Sequence, residues 1–278
     1  MKYSAIIFLC IICITGCEED NNIQEFMDFI YPLTVGNNWE YEKYFTLDYD
    51  ATAESNGAAD TTFYSSALVE VITNEVIFDS IQVYNLETTY TEYGSTMSGH
   101  EFYNNVNNFL INYAYIHPYM FTPKTNSTSF KFNGKFFSDV KEVFAYLEKG
   151  ILLSEFTKED SIHYDPVHCI EYPLVMDNQW LYRAPDNPFS IEKEIVGFSN
   201  IDVPAGRFDC CKIRWIYPDS EWNDNVSFHD YVSSKGLVKR LFEIRDIAVY
   251  NTEDPFGEPI GFVSSTEETY LTNYEINN

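Results

Sequence analysis

Large side chains, most of them apolar, recur two residues apart along much of this chain. Trp39, Tyr41, Lys43 and Phe45 form one such run, and Cys211, Ile213, Trp215 and Tyr217 form another. That period belongs to a half-buried strand, whose successive side chains point to opposite faces. Turn residues separate the runs. In "VPAGRF", Val203 to Phe208, Pro204 presets φ and Gly206 accepts positive φ, so the flanking "IEKEIVGFSNID" and "DCCKIRWIY" are predicted to pair as a hairpin. Near the C-terminus "IAVY" and "EETYLTNYEI" are predicted to pair across "NTEDPFGEPIG".

One segment has the helical period instead. In "SDVKEVFAYLEKG", Ser138 is the expected N-cap, and Val140, Val143, Phe144 and Leu147 form an apolar stripe that ends before Gly150. The stripe should pack on a sheet face or cover a sheet edge. By contrast "LDYDATAESNGAADTT", Leu47 to Thr62, has no apolar period and is predicted to be an exposed loop.

The chain is also written twice. "YPLTVGNNWEY" (Tyr31 to Tyr41) and "YPLVMDNQWLY" (Tyr172 to Tyr182) agree at six of eleven positions without a gap. "HEFYNN" from His100 answers "HDYVSS" from His229, and Phe78-Asp79 answers Phe208-Asp209, in the same order. Pro32 suits the start of a strand because it has no ladder N–H to lose, Gly36 to Asn38 and Asp177 to Gln179 tolerate a turn, and Trp39 and Trp180 then carry a large apolar payload. The phrase therefore predicts a structural device. The expected fold class is all-β with one short helix, in two related antiparallel units forming curved sheets or incomplete barrels: residues 30–115 and 169–278, joined by a helix-bearing connector, 116–168.

The N-terminus differs from all of this. "MKYSAIIFLCIICITGC" places Lys2 before an apolar run too short to span a bilayer, and no later stretch is apolar enough to do so. Its Ile14-Thr15-Gly16-Cys17 ending resembles the lipobox of bacterial lipoproteins. The resemblance implies a signal peptide over 1–16, removed before Cys17, and lipidation of Cys17, which would attach the protein to a membrane without a spanning helix. Residues 17–29 then read as an acidic tether. Glu18, Glu19 and Asp20 resemble the surface-export signal of lipoproteins in Bacteroidetes-type bacteria, which implies an outer-membrane lipoprotein exposed on the cell surface; a solvated tether is the alternative.

Charge removes one class of partner. With 17 Lys and Arg against 43 Asp and Glu, the net charge is −26, which repels phosphate backbones and excludes nucleic acid. Of the six cysteines, Cys169, Cys210 and Cys211 lie beyond the signal and lipidation residues. A disulfide from Cys169 to Cys210 or Cys211 and buried free thiols both fit an exported protein.

The phrases "PLTVGNNWEY", "VPAGRF" and "KGLVKR" (Lys235 to Arg240) together resemble a loose group of secreted or lipid-anchored bacterial proteins of unknown function. Asp177 replaces the first phrase's Gly in the second copy, and Arg207 replaces the usual Thr of the second phrase. The resemblance implies an antiparallel, curved sheet or incomplete barrel in the envelope, and it supplies no catalytic residues.

The sequence holds no nucleophile elbow, zinc-binding HExxH helix, phosphate-cradling loop or EF-hand loop, so no cofactor is expected. "HYDPVHC" brings His163, Asp165, His168 and Cys169 close in sequence, a set with metal-ligand chemistry, but on a strand His168 and Cys169 would face opposite ways. Asp219, Glu221 and Asp224 could supply oxygen ligands to Ca²⁺ or form a solvated hairpin tip. Trp39, Trp180, Tyr113 and Tyr115 could form an aromatic platform for a glycan or lipid, against the plainer reading of core packing. The functional expectation is a non-catalytic binding or assembly module for a glycan, a lipid or an envelope protein. The alternatives are a purely structural envelope component and an unrecognised hydrolase or metal-dependent enzyme.

Overall fold

The computed structural model describes residues 26–116, 128–150, 162–184, 188–218, 220–254 and 257–277. Cys17, its signal peptide and the Glu18 to Asp20 cluster lie outside them, as does Asp219. The described residues form mostly antiparallel strands in one large, nearly closed barrel.

The first half supplies β1 (Phe26–Met27), β2 (Asn38–Tyr49), β3 (Thr61–Ile77), β4 (Ile81–Glu92), β5 (Ser95–Val106) and β6 (Phe109–Ile116). The middle supplies β7 (Thr128–Phe132), β8 (Lys135–Phe137) and β9 (His163–Glu171), and the second half supplies β10 (Leu174–Val175), β11 (Gln179–Arg183), β12 (Ile191–Val203), β13 (Gly206–Ile216), β14 (Val226–Ser233), β15 (Gly236–Asn251) and β16 (Gly261–Glu275). Each half is an up-and-down meander. The wall runs β11-β12-β13-β14-β15-β16-β2-β3-β4-β5-β6-β9, with β7 and β8 attached to β15. The halves meet where β16 pairs with β2 over most of its length, so both belong to one sheet.

The duplicated phrase has an atomic counterpart. In the first copy Gly36 donates its N–H to Val71, Val71 donates to Asn37, and Asn37 donates to Thr34. In the second, Asp177 donates to Ile195, Ile195 to Asn178, and Asn178 to Val175. Gly36 has φ +91° and Asp177 +63°, the left-handed region that Gly enters freely and Asp tolerates better than most residues. The Gly-to-Asp change between copies therefore keeps one turn. Asn37 is fully buried; its side chain donates to Pro32 O and accepts from Asn277 N, tying the phrase to the end of the chain.

Several expectations need correction. Leu47 to Thr62 is no featureless loop: β2 continues to Tyr49, and α1 (Ala51–Ser55) follows, capped by Asp50, whose side chain accepts from Ala53 N. Ala53 is fully buried. The end of the 17–29 tether is structured too, since β1 pairs with β10 and buries Met27. The boundary at 168/169 falls inside β9, which pairs with β6. The long helix, α2 (Val140–Lys149), is capped by Asp139, one residue after Ser138, and Glu142 instead accepts the Ser138 backbone N–H. Gly150 ends it at φ +73°. Of the two cysteine readings the free thiols hold: Cys169, Cys210 and Cys211 are all unpaired.

Two large apolar clusters make up most of the core. One gathers the α2 stripe with Phe45, Phe228, Phe242 and Ile244. The other gathers Met27, Leu33, Trp39, Trp180, Cys211 and Leu271 near the duplicated turns.

Candidate functional site: a charged cavity inside the barrel

Between these clusters lies a cavity of about 330 Å³, lined from both halves of the chain and from α2. Its volume falls within the range of small-molecule sites. Helical geometry explains the part played by α2. Val140, Val143 and Leu147 are buried against the wall, while Lys141, Phe144, Ala145 and Glu148, at positions i, i+3, i+4 and i+7, line the cavity. The apolar lining includes Ala67, Leu86, Leu110, Ile170 and Ile213, all part of the cluster around Trp39 and Trp180.

The remaining lining is unusual in its charge. Lys43, Lys141, Lys149, Lys193 and Arg240 supply five cationic side chains. Glu101, Glu142, Glu148, Asp230 and Glu267 supply five anionic ones. In a chain with 17 basic residues in all, this is a strong local concentration of cations, brought to parity with the acids.

These groups form a network. Arg240 Nε lies 2.7 Å from Asp230 Oδ1, and its Nη1 lies 2.8 Å from Glu148 Oε1. Lys149 Nζ is 2.6 Å from Glu101 Oε1, and Tyr103 Oη donates to Glu101 Oε2 at 2.8 Å. Lys43 pairs with Glu267 at 3.0 Å. Asp230 also accepts the Trp215 indole N–H at 2.8 Å. Lys193 Nζ donates to Cys169 O at 3.2 Å and sits 3.6 Å from Asp230, between the rings of Trp215 and Tyr182 at 4.0 and 4.4 Å.

Burial and pairing compete in setting the protonation states. Burial alone would raise Glu148, but Arg240, Lys149 and Lys43 outweigh it and bring the carboxyl down to about 2. Burial would lower Lys149, yet Glu101 and Glu148 hold it above the usual ammonium range. At Lys193 burial wins over Asp230, and its pKa falls. Burial likewise raises the Cys169 thiol, against the opposing pull of Lys193.

The residues singled out from sequence occupy different places. Trp39 is fully buried and donates its indole N–H to Lys235 O; Trp180 is 6% exposed and donates to His168 O at 2.8 Å. Neither indole presents a face to solvent or to the cavity lining. Tyr113 packs against a small cluster containing Phe102 and Ala114, whereas Tyr115 lines the cavity beneath the Lys149 ammonium, 5.3 Å from its ring. On β9, Cys169 faces the cavity while His168 is exposed and stacks on Phe109. His163 stacks on Tyr115, and Asp165 pairs with Arg183 at 3.0 Å. Glu221 and Asp224 are exposed. Among the described residues no three His, Cys, Asp or Glu side chains gather at metal-binding separation.

Sequence reasoning missed the ionic lining, although a signal existed. Lys43 stands in the period-two run Tyr41, Lys43, Phe45; Lys193 in Ile191, Lys193, Ile195; and Asp230 in Phe228, Asp230, Val232. A charge at an inward position of an apolar alternation marks either a register change or a polar interior.

No protein-family model matches the chain, and no curated protein matches it significantly. Among solved structures, the chain is similar to a protein described as exported, with a YmcC-like fold, from Bacteroides fragilis NCTC 9343. The identity is 12%, with 90% of this chain and 100% of that chain covered and a TM-score of 0.37. It is also similar to a protein described as a lipoprotein from Parabacteroides distasonis ATCC 8503, at 17% identity, the same coverage of 90% and 100%, and a TM-score of 0.36.

Proposed function

We propose that this protein is a non-catalytic binding protein of the bacterial cell envelope that holds a small amphiphilic ligand inside its barrel. One observation carries the reading: a cavity of about 330 Å³ lined by apolar side chains together with ten Lys, Arg, Asp and Glu side chains. Burying paired charges gives little net stability, and apolar residues of similar volume often do as well or better. A barrel selected for rigidity alone would close its interior with such residues. Space, apolar wall and convergent polar groups are instead what a ligand site requires. The interior position favours a small molecule over an envelope protein as partner. The envelope assignment rests on the Cys17 lipobox, which would tether the barrel to the outer membrane.

The test uses a neutral naphthylamine fluorophore, with Trp215 in the cavity lining as the energy donor. The native chain should bind it saturably, and Ala67→Trp, which fills the space, should abolish binding while the barrel stays folded. Absent binding, or equal binding by the filled variant, would refute the interior site and leave the structural reading in its place.

A further inference from the structure

The cavity also constrains the chemistry of its ligand. Its lining carries five cationic and five anionic side chains, and the closest of them already neutralise one another. Lys43 is held by Glu267 at 3.0 Å, Lys149 by Glu101 at 2.6 Å, and Arg240 by both Glu148 and Asp230 at 2.8 and 2.7 Å. A ligand bearing a net charge of either sign would meet a balanced network. It would have to break an existing pair or remain without a counter-charge inside the barrel, and either outcome weakens binding.

The network nonetheless has open surface. Glu101 and Glu148 keep 32% and 30% of their side-chain surface, and Lys43 keeps 24%. All three line the cavity. A hydroxyl can donate to a carboxylate and accept from an ammonium through the same oxygen, so it joins such a pair without separating it. The same lining includes apolar side chains, Ala67, Leu86, Leu110, Ile170 and Ile213, on which a hydrocarbon body can pack.

We propose that the ligand is a net-neutral amphiphile with a hydroxyl-rich head, which sits among Glu101, Glu148, Lys149 and Lys43 while its apolar body packs on the apolar lining that includes Ala67, Leu110 and Ile170. This rests on the barrel interior being the binding site. A short-chain glycoside has this chemistry; a fatty acid or an alkylamine does not.

The experiment titrates the full mature chain with hexyl glucoside, hexanoate and hexylammonium, which share one alkyl length. Binding is read by calorimetry and by displacement of the naphthylamine fluorophore. The glucoside should bind at least about tenfold more tightly than either ion, a difference of about 1.4 kcal/mol. Equal or tighter binding of either ion overturns the proposal, as does a bound fluorophore that the glucoside fails to displace. A fluorophore that never binds fails the interior site itself, and the proposal falls with it. Charge variants supply a readout that general loosening of the fold would not give. Glu101→Gln leaves Lys149 in excess and should move the preference toward hexanoate, and Lys149→Met should move it toward hexylammonium. An unchanged order of preference in both variants would also overturn the assignment.

Discussion

The indole N–H of Trp180 in β11 donates to the carbonyl of His168 in β9 at 2.8 Å, across the gap between the two terminal strands of the barrel wall. Arg183 adds to the same seam: its Nη2 reaches Asp165 at 3.0 Å and its Nη1 reaches the Glu148 carbonyl on α2 at 3.0 Å. Side chains thus join strands that no described backbone ladder joins. Trp180→Ala removes both a buried ring and this link, and should destabilise the protein by about 3–5 kcal/mol in chemical denaturation. Trp180→Phe keeps most of the packing and isolates the lost hydrogen bond, at about 1–2 kcal/mol. A near-neutral alanine variant would show that the seam adds nothing to stability.

The equivalent tryptophan of the first copy explains the glycine of "KGLVKR". Gly236 has φ +104°, and a Cβ there would stand 2.8 Å from Trp39 Nε1 and 3.3 Å from Tyr31 Oη. Gly236→Ala therefore meets both a steric conflict and backbone strain, and should cost about 2–4 kcal/mol. The check is a denaturant midpoint with unchanged slope. Stability equal to the native chain would mean that the indole can shift without loss.

How much of this could be read from sequence follows from the range of the interactions involved. The strand period around Trp39, the turn at Gly206 and the stripe of α2 depend on neighbours within a few residues, and they appear as expected. The Leu47 to Thr62 segment was misread because α1 is short and polar. Its helix rests on the Asp50 cap and on burial of Ala53 beside Gly261 of β16, far away in sequence. The cavity was illegible for a similar reason. Lys43 and Glu267 meet only because β2 pairs with β16, and Arg240 meets Glu148 only because α2 occupies the interior. Local pattern shows that a charge interrupts an apolar run; closure of the sheet decides what it faces.

The Glu148–Arg240 pair predicts an acid limb in stability. A carboxyl ordinarily near 4.5 and held at about 2 when folded binds its proton more readily in the unfolded chain. Its contribution is therefore complete above about pH 4.5 and disappears as the pH falls toward 2. With part of the side chain solvated, that contribution is about 1–3 kcal/mol. Glu148→Gln should lower stability at pH 7 and flatten this part of the pH profile, leaving the two proteins closer at pH 2.5 than at pH 7. A constant difference across that window would remove Glu148 as the titrating group.

The three described thiols should differ in reactivity. Cys210 and Cys211 are fully buried, and burial raises both to about 12. Cys169 is partly exposed and lines the cavity. A small maleimide should modify Cys169 alone in the folded protein, slowly at neutral pH because burial raises this thiol as well. A ligand held in the cavity should slow that modification further. Peptide mapping that finds Cys210 or Cys211 labelled first would place reagent access somewhere other than the cavity.

Membrane attachment by lipid at Cys17 predicts a change of fraction without a change of fold. Cys17→Ala should leave the circular dichroism and the denaturation midpoint of the barrel unchanged, yet release the protein from membranes into the soluble fraction. Continued membrane association of the variant would refute the lipid anchor. With the native chain on intact cells, an added protease distinguishes the two faces of the outer membrane. Digestion while a periplasmic marker survives would place the barrel outside, where the acidic Glu18 to Asp20 cluster acts as an export signal. Protection until the outer membrane is opened would make that cluster a tether, and would place the cavity where its ligand must come from the periplasm.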